Sequence, residues 1–270
     1  MEKIPKIIHC FWFGSSGKPE TIKKCMKSWS SLTDYKIIEW NDNKFDFNKN
    51  EYTREAFRQK KWAHLSDYYR LKVLYEYGGI YLDTDVMINH RFDPLLSNEM
   101  FLGFIFDCSI GSAVIGAIPK HPVIRELIEL YDGIMIKEDF TNGFYVKELT
   151  DKKLFNNNDL FTIYLLKKFS EFRLVNRYQN LVGLAVYPKE FFEIPPVIGK
   201  SYCTHFNIGS WGSNNSTGRK VKKRMKEMLY NMPGINIYSI LLHISHRRRL
   251  SSLPFYSDYL EHKKLTSEPG

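Results

Sequence analysis

The stretch Tyr75-Glu76-Tyr77-Gly78-Gly79-Ile80-Tyr81-Leu82-Asp83-Thr84-Asp85 contains the end of one element and the whole of the next. Upstream of it, Ala63 to Tyr77 has helical spacing. At about 100° per residue, Ala63, Asp67, Arg70, Leu71 and Leu74 fall on one face, and Leu65, Tyr69, Lys72 and Glu76 on the other. Gly78-Gly79 predicts the helix end, because the left-handed residue that closes many helices is strain-free only as glycine. Ile80-Tyr81-Leu82 then reads as a very short strand that delivers Asp83-Thr84-Asp85 at its carboxyl end, where an α/β sheet presents its ligands.

Working outward, Ile4 to Phe13 reads as a buried strand, Pro19 to Ser31 as a helix and Tyr35 to Trp40 as a second strand, an opening β-α-β unit. Met100 to Phe106, Ser112 to Ile118 and Gly183 to Pro188 read as further strands. Helices are expected from His121-Pro122 to Tyr131 and from Asp159 to Phe169. Cys203 to Gly218 reads as a Gly/Ser/Asn-rich loop holding Thr204-His205-Phe206 and Ser210-Trp211. Two basic helices, Arg219 to Tyr230 and Ile235 to Arg249, follow. The expected organisation is a domain over 1–218, a basic helical extension over 219–265 packed on or beside it, and a frayed end at 266–270.

Over 270 residues, 43% hydrophobic and 26% charged content excludes collagen-like, coiled-coil and wholly disordered chains. Cys10, Cys25, Cys108 and Cys203 show no C-x-x-C pair or zinc-ligand spacing, so they read as reduced thiols. Ile7 to Phe13 makes a poor signal peptide, and no apolar run reaches the roughly 18 residues that span a bilayer. A cytoplasmic protein is expected. Of the net charge of +9, +7 lies from Arg219 onward, which points to an anionic surface or to a solvated helix face. The second basic helix also interleaves Ile237, Ile240, Leu241 and Ile244 along one side, an arrangement suited to peripheral contact with anionic membrane.

Asp83 and Asp85, one residue apart on extended backbone, project to the same side and can reach one divalent cation, and hard oxygen ligands suit Mg²⁺ or Mn²⁺. An Asp-rich turn is the plainer explanation for so short a motif. Asp67 and Arg70 form at least an i,i+3 pair. Their place on an apolar face adds a requirement, since buried charges must be paired or must face a polar ligand. Trp12 and Phe13 offer either an aromatic face to a nucleobase or simple core bulk. Ser210-Trp211, with His205 nearby, could close over a diphosphate or merely anchor a surface loop.

In combined order and spacing, Ile4 to Gly14 (Ile-Pro-Lys-Ile-Ile-His-Cys-Phe-Trp-Phe-Gly), Ser66-Asp67-Tyr68-Tyr69-Arg70 and Tyr75 to Asp85 resemble the family-32 glycosyltransferases. Similar strings occur in the glucosyltransferase domain of large clostridial toxins. The resemblance implies a GT-A fold with a Rossmann-like mixed central sheet flanked by helices, a nucleotide-sugar donor, Mn²⁺ or Mg²⁺, and retention of anomeric configuration. It makes Trp12 the base-stacking aromatic, Asp67 a donor-sugar ligand, Arg70 a sugar or phosphate contact and Tyr81 a donor-pocket residue. It makes Asp83 and Asp85 the metal motif, Ser210-Trp211 the diphosphate-closing loop and His205 an additional metal ligand. Ser112 stands where many relatives carry asparagine.

The implied reaction moves a hexose from a nucleotide sugar, UDP-linked by preference or GDP-mannose, to a glycan or lipid-linked acceptor, as in bacterial capsule or surface-polysaccharide synthesis; no nucleic-acid partner is expected. Two other readings stand beside it. One is a haloacid-dehalogenase-type phosphatase with Asp83 as nucleophile and Asp85 as acid/base. The other is a non-catalytic basic module binding glycan or nucleic acid.

Overall fold

The computed structural model describes residues 4–134, 154, 156–196, 199–207 and 237–266. The chain enters through β1 (Ile7–Phe11), α1 (Glu20–Ser28) and β2 (Lys36–Trp40), then α2 (Glu51–Arg58), α3 (Trp62–Tyr77), β3 (Gly79–Leu82) and β4 (Val86–Ile88). A hairpin of β5 (Met100–Phe106) and β6 (Ser109–Ala117) leads to α4 (Pro122–Asp132) and α5 (Asn157–Lys168). The remainder is β7 (Gln179–Leu181), β8 (Leu184–Tyr187), α6 (Lys189–Phe192), β9 (Cys203–His205), α7 (Ile237–Leu250) and α8 (Tyr256–Leu265).

Seven strands form one mixed sheet in the order β2-β1-β3-β6-β5-β8-β7, and β4 and β9 form a separate antiparallel pair. Strand β3 lies near the middle, parallel to β1 and antiparallel to β6. The α/β class and the mixed sheet flanked by helices are those expected from the sequence. Side chains alternate across β3. Ile80 and Leu82 enter the core beneath Trp29 and Phe92, while Tyr81 faces the core formed with α3, α4 and α5. Asp83, two residues after Tyr81, therefore emerges on the α3 side.

Helix α3 departs from its expected two-faced character. Leu65 and Tyr69, on the side opposite Asp67, are buried like Leu71 and Leu74, because α2, α4 and β1 surround the helix; its fully exposed residues, Glu76 and Tyr77, lie in the last turn. The junction to β3 has no spare residue. Gly78 and Gly79 take φ of 63° and 104°, and a Cβ on Gly79 would stand 2.6 Å from the Ile7 carbonyl oxygen of the adjacent strand.

Other expectations need correction. Cys203–His205 is a strand, not loop, and α2, β4, β7, α6 and α8 had no counterpart in the sequence reading. Strand β6 starts earlier than expected, at Ser109, and α5 starts at Asn157, where the Asn156 side chain accepts from the Asp159 amide. All four cysteines are buried thiols. The expected helix over Arg219 to Tyr230 lies outside the described residues. Among the described residues no helix is long and apolar enough to cross a membrane.

Replacing Gly79 with alanine should cost about 1–3 kcal/mol, through positive φ and the close carbonyl. Alanine at Gly17, which is exposed with open space around its Cβ position, should cost much less. Urea unfolding of the two variants checks the difference.

Candidate active site

Arg70 projects from the middle of α3 and is only 3% exposed. Its five N–H groups meet five acceptors. Nε donates to the Ser66 carbonyl (3.0 Å), Nη1 to Ser112 O and Oγ (2.7 and 3.2 Å), and Nη2 to Ser66 Oγ and Asp67 Oδ1 (3.1 and 2.8 Å). The guanidinium also lies 4.4 Å over the Tyr81 ring and 3.5 Å from Asp83 Oδ1. Helix, strand end and neighbouring strand thus converge on one cation. Burial pushes the Asp67 carboxyl up to about 6, against the downward pull of Arg70, with Asp83 adding to the rise.

The Tyr81 hydroxyl donates to Asp83 Oδ1. Asp83 is partly open, whereas Asp85 is 7% exposed. The third member arrives through the β4–β9 pair, whose register sets His205 opposite Val86, the residue after Asp85. His205 Nε2 stands 3.2 Å from Asp85 Oδ1 and 3.9 Å from Asp83 Oδ2. Ligand atoms of Asp83, Asp85 and His205 all lie within 4.8 Å of one another.

On its other edge His205 donates through Nδ1 to Glu193 Oε2 at 2.7 Å. Burial works against protonating His205, but the Glu193 and Asp85 carboxylates outweigh it and raise its pKa well above the ordinary range. The imidazolium then balances carboxylates that a divalent cation could balance instead. Two carboxylates and an imidazole held from behind by a further carboxylate form a chemically suitable donor set for such a cation.

These groups surround a cavity of about 300 Å³. Asp67, Arg70, Tyr81, Asp83, Asp85 and His205 all line it, so the structure brings together six of the residues singled out in the sequence. It does not bring Trp12. That side chain is 8% exposed, gives its indole N–H to the Ser16 carbonyl (2.8 Å) and carries the Lys18 ammonium 5.4 Å over its ring; Phe11 lines the cavity instead. Ser210 and Trp211 lie outside the described residues.

Sequence reasoning missed Glu193 and Asn156-Asn157-Asn158. The Ser112 hydroxyl donates to Asn158 Oδ1 (3.0 Å), and Tyr131 donates to Asn157 Oδ1 (2.6 Å). A run of three asparagines before an apolar helix is a capping signal that also marks this cavity wall. Glu193 left no local signal, since its partner lies on a strand read as loop.

An α/β protein that gathers two aspartates, an imidazole and a buried Asp–Arg pair around one cavity at the carboxyl end of a central strand has the equipment for handling a charged, hydroxyl-rich ligand. Residues 19–102 match the family described as "Glycosyltransferase sugar-binding region containing DXD motif".

Among curated relatives, a mannosyl phosphorylinositol ceramide synthase of Saccharomyces cerevisiae is 33% identical over 130 residues, 47% of this chain and 35% of that protein. Inositol phosphoceramide mannosyltransferase 1 of Schizosaccharomyces pombe is 30% identical over 156 residues, 54% of this chain and 47% of that protein. The alpha-1,4-N-acetylglucosaminyltransferase of Homo sapiens is 25% identical over 194 residues, 66% and 51% respectively. The matches thus span about a third to a half of these relatives' own length. The solved PaToxG glycosyltransferase covers 48% of this chain and 60% of its own, with 21% identity and a TM-score of 0.40.

Arg70→Ala strands two buried or half-buried carboxylates and should cost about 3–5 kcal/mol in denaturant unfolding. Asp67→Asn should cost clearly less, because its carboxyl already resists ionisation and the amide keeps an oxygen for Arg70 Nη2. Glu193→Gln should weaken Mn²⁺ binding by about 10–100-fold, read from the free-ion spectrum during titration, while the fold's melting temperature changes far less than in Arg70→Ala.

Proposed function

We propose that the chain is a retaining glycosyltransferase that moves a hexose from a nucleotide sugar to a hydroxyl of a glycan or lipid-linked acceptor, with Asp83, Asp85 and His205 holding Mn²⁺ or Mg²⁺. The observation that carries this reading is the placement of those three ligands in the cavity that also holds Asp67 and Arg70. Mixed oxygen and nitrogen donors favour Mn²⁺ of the two ions. A divalent cation bound there supplies the charge neutralisation that a departing diphosphate requires.

The chain's own residues supply the rest. Arg70 has its N–H groups committed to the protein, so it acts on the donor through positive potential and by fixing Asp67 and Asp83 rather than by grasping a phosphate. Asp67 presents its remaining oxygen to donor-sugar hydroxyls. Because Asp67 is already engaged by Arg70 at 2.8 Å, it makes a poor nucleophile, which supports front-face attack by the acceptor hydroxyl with the leaving phosphate taking the proton. The same argument weighs against the phosphatase reading: Asp83 has Oδ1 engaged by Tyr81 and Arg70 and Oδ2 turned toward His205, which suits a ligand better than a nucleophile.

The sugars in the relatives' names, mannose and N-acetylglucosamine, make GDP-mannose and UDP-N-acetylglucosamine the first donors to test, beside UDP-glucose. The inositol phosphoceramide named for two of them supports a lipid-borne acceptor over a capsular glycan. A membrane-side position on the cytoplasmic face would suit such an acceptor.

Wild-type protein with Mn²⁺ should release nucleotide from one of the three sugar nucleotides by slow transfer to water, and EDTA should abolish this. Asp85→Asn should reduce the rate by about 10²-fold or more with the fold retained. Release that is unaffected by EDTA and by Asp85→Asn would overturn the assignment.

A further inference from the structure

A second cavity, of about 390 Å³, adjoins the first and shares Asn156, Asn158, His205 and Asn207 with it. The shared boundary is entirely polar. Beyond it the lining changes character: Phe106, Leu242, Leu253 and Pro254 make apolar walls, and α7 adds His246 and Arg249. The Arg249 guanidinium stands 5.5 Å from the Phe106 ring centre, and the His246 ring stands 4.5 Å from it. His246 Nδ1 is buried with no hydrogen-bond partner among the described residues, and no described carboxylate lies within ion-pair distance of Arg249. The acidic residue of the lining, Asp159, is buried in the first turn of α5, beside the shared asparagines.

The helices that build this wall also turn apolar surface outward. Leu241 and Ile244 on α7 are 46% and 42% exposed, and Leu260 and Leu265 on α8 are 40% and 58% exposed. The expected apolar side of α7 is therefore not what packs on the body of the protein. The inward side is instead carried by Ser239, whose hydroxyl donates to the Pro195 carbonyl, and by partly buried Leu242, His246 and Leu250. Exposed Arg247, Arg248, Lys263 and Lys264 accompany the outward leucines and isoleucine. An apolar surface with a basic fringe suits the boundary of an anionic bilayer.

We infer that the second cavity receives the phosphodiester headgroup of a membrane-borne acceptor. Hydroxyls of the headgroup reach the polar boundary beside the first cavity, the phosphate lies against Arg249, and the lipid tail leaves along Leu253 and Pro254 toward the exposed side chains of α7 and α8. The order follows from the lining: hydroxyl-compatible groups stand nearest the metal ligands, cationic and apolar groups further out. Charge complementarity and continuity with the first cavity select this occupant, because a neutral glycan would leave Arg249 unused. The inference rests on reading the first cavity as the donor site.

Calorimetric titration of the full chain with glycerophosphoinositol, a tail-free phosphodiester, tests it against myo-inositol and inorganic phosphate. Glycerophosphoinositol should bind at least about tenfold more tightly than either, and Arg249→Gln should lose about tenfold while its melting temperature is unchanged, as suits an exposed side chain. Phosphatidylcholine vesicles containing phosphatidylinositol should pellet the wild type, and Leu241→Asp with Ile244→Asp should release it. Equal binding of glycerophosphoinositol to wild type and Arg249→Gln, or inorganic phosphate binding as tightly as the diester, would overturn the headgroup site. Headgroup binding without any vesicle binding would overturn the membrane-borne source. Wild-type donor hydrolysis reports separately on the first cavity: hydrolysis with flat titrations sinks only this inference, whereas headgroup binding without hydrolysis of any sugar nucleotide sinks the donor reading.

Discussion

A guanidinium removed from water is the constraint around which this site is built. Arg70 is costly to bury, and the cost is offset only because every N–H finds an acceptor and two carboxylates stand close by. Those acceptors come from α3 itself, from β6 through Ser112, and from the end of β3 through Asp83. No one of these elements can shift alone without exposing an unsatisfied charge. Gly78 and Gly79 at the junction of α3 and β3 belong to the same constraint, since they let the strand begin directly where the helix ends and run back so that Asp83 stands beside Arg70.

The imidazole side of the site is fixed by different means. His205 is positioned by strand register with β4 and by Glu193 behind it, and the backbone adds two ties: His205 N–H donates to the Glu193 carbonyl (2.9 Å) and Phe206 N–H to the Asp85 carbonyl (3.1 Å). Glu193 itself has room because Gly111 faces it, where a Cβ would stand 2.8 Å from Oε1. A ring held at both nitrogens presents Nε2 toward the aspartates in one orientation. That fixed orientation is what a metal-binding histidine needs before the ion arrives.

What the sequence disclosed follows the range of the forces involved. The opening β-α-β unit, α3, the glycine junction and the acid pair are local patterns of spacing, and all lie close to where periodicity puts them. Asp67 and Arg70 were legible because charges on an apolar stripe demand an explanation. Trp12 stayed ambiguous because an aromatic at a strand end has the same sequence signature whether it faces ligand or core; here Lys18 lies over its ring and the Ser16 carbonyl takes its indole N–H. The β4–β9 pair and Glu193 were illegible for a different reason. Each strand is three residues long, too short for alternation to register, and its stability comes from a partner far away in the chain.

The linings of the two cavities divide along the sequence. Asp67, Arg70, Tyr81, Asp83 and Asp85 all fall within the 19–102 stretch that matches the DXD family, whereas every residue lining the second cavity lies beyond it, from Ile105 onward. None of the matching residues lines the second cavity. His205, Asn156, Asn158 and Asn207 face both cavities, so on the proposed reading donor and acceptor would meet between an imidazole and the asparagines. Changes in α7 and α8 can therefore alter the far wall while sparing the Arg70 network, because no described residue of either helix is among the hydrogen-bond or ion-pair partners of Arg70. On the proposed reading, physical separation of the two walls, joined at a polar boundary, would allow one donor chemistry to be kept while the acceptor surface is rebuilt.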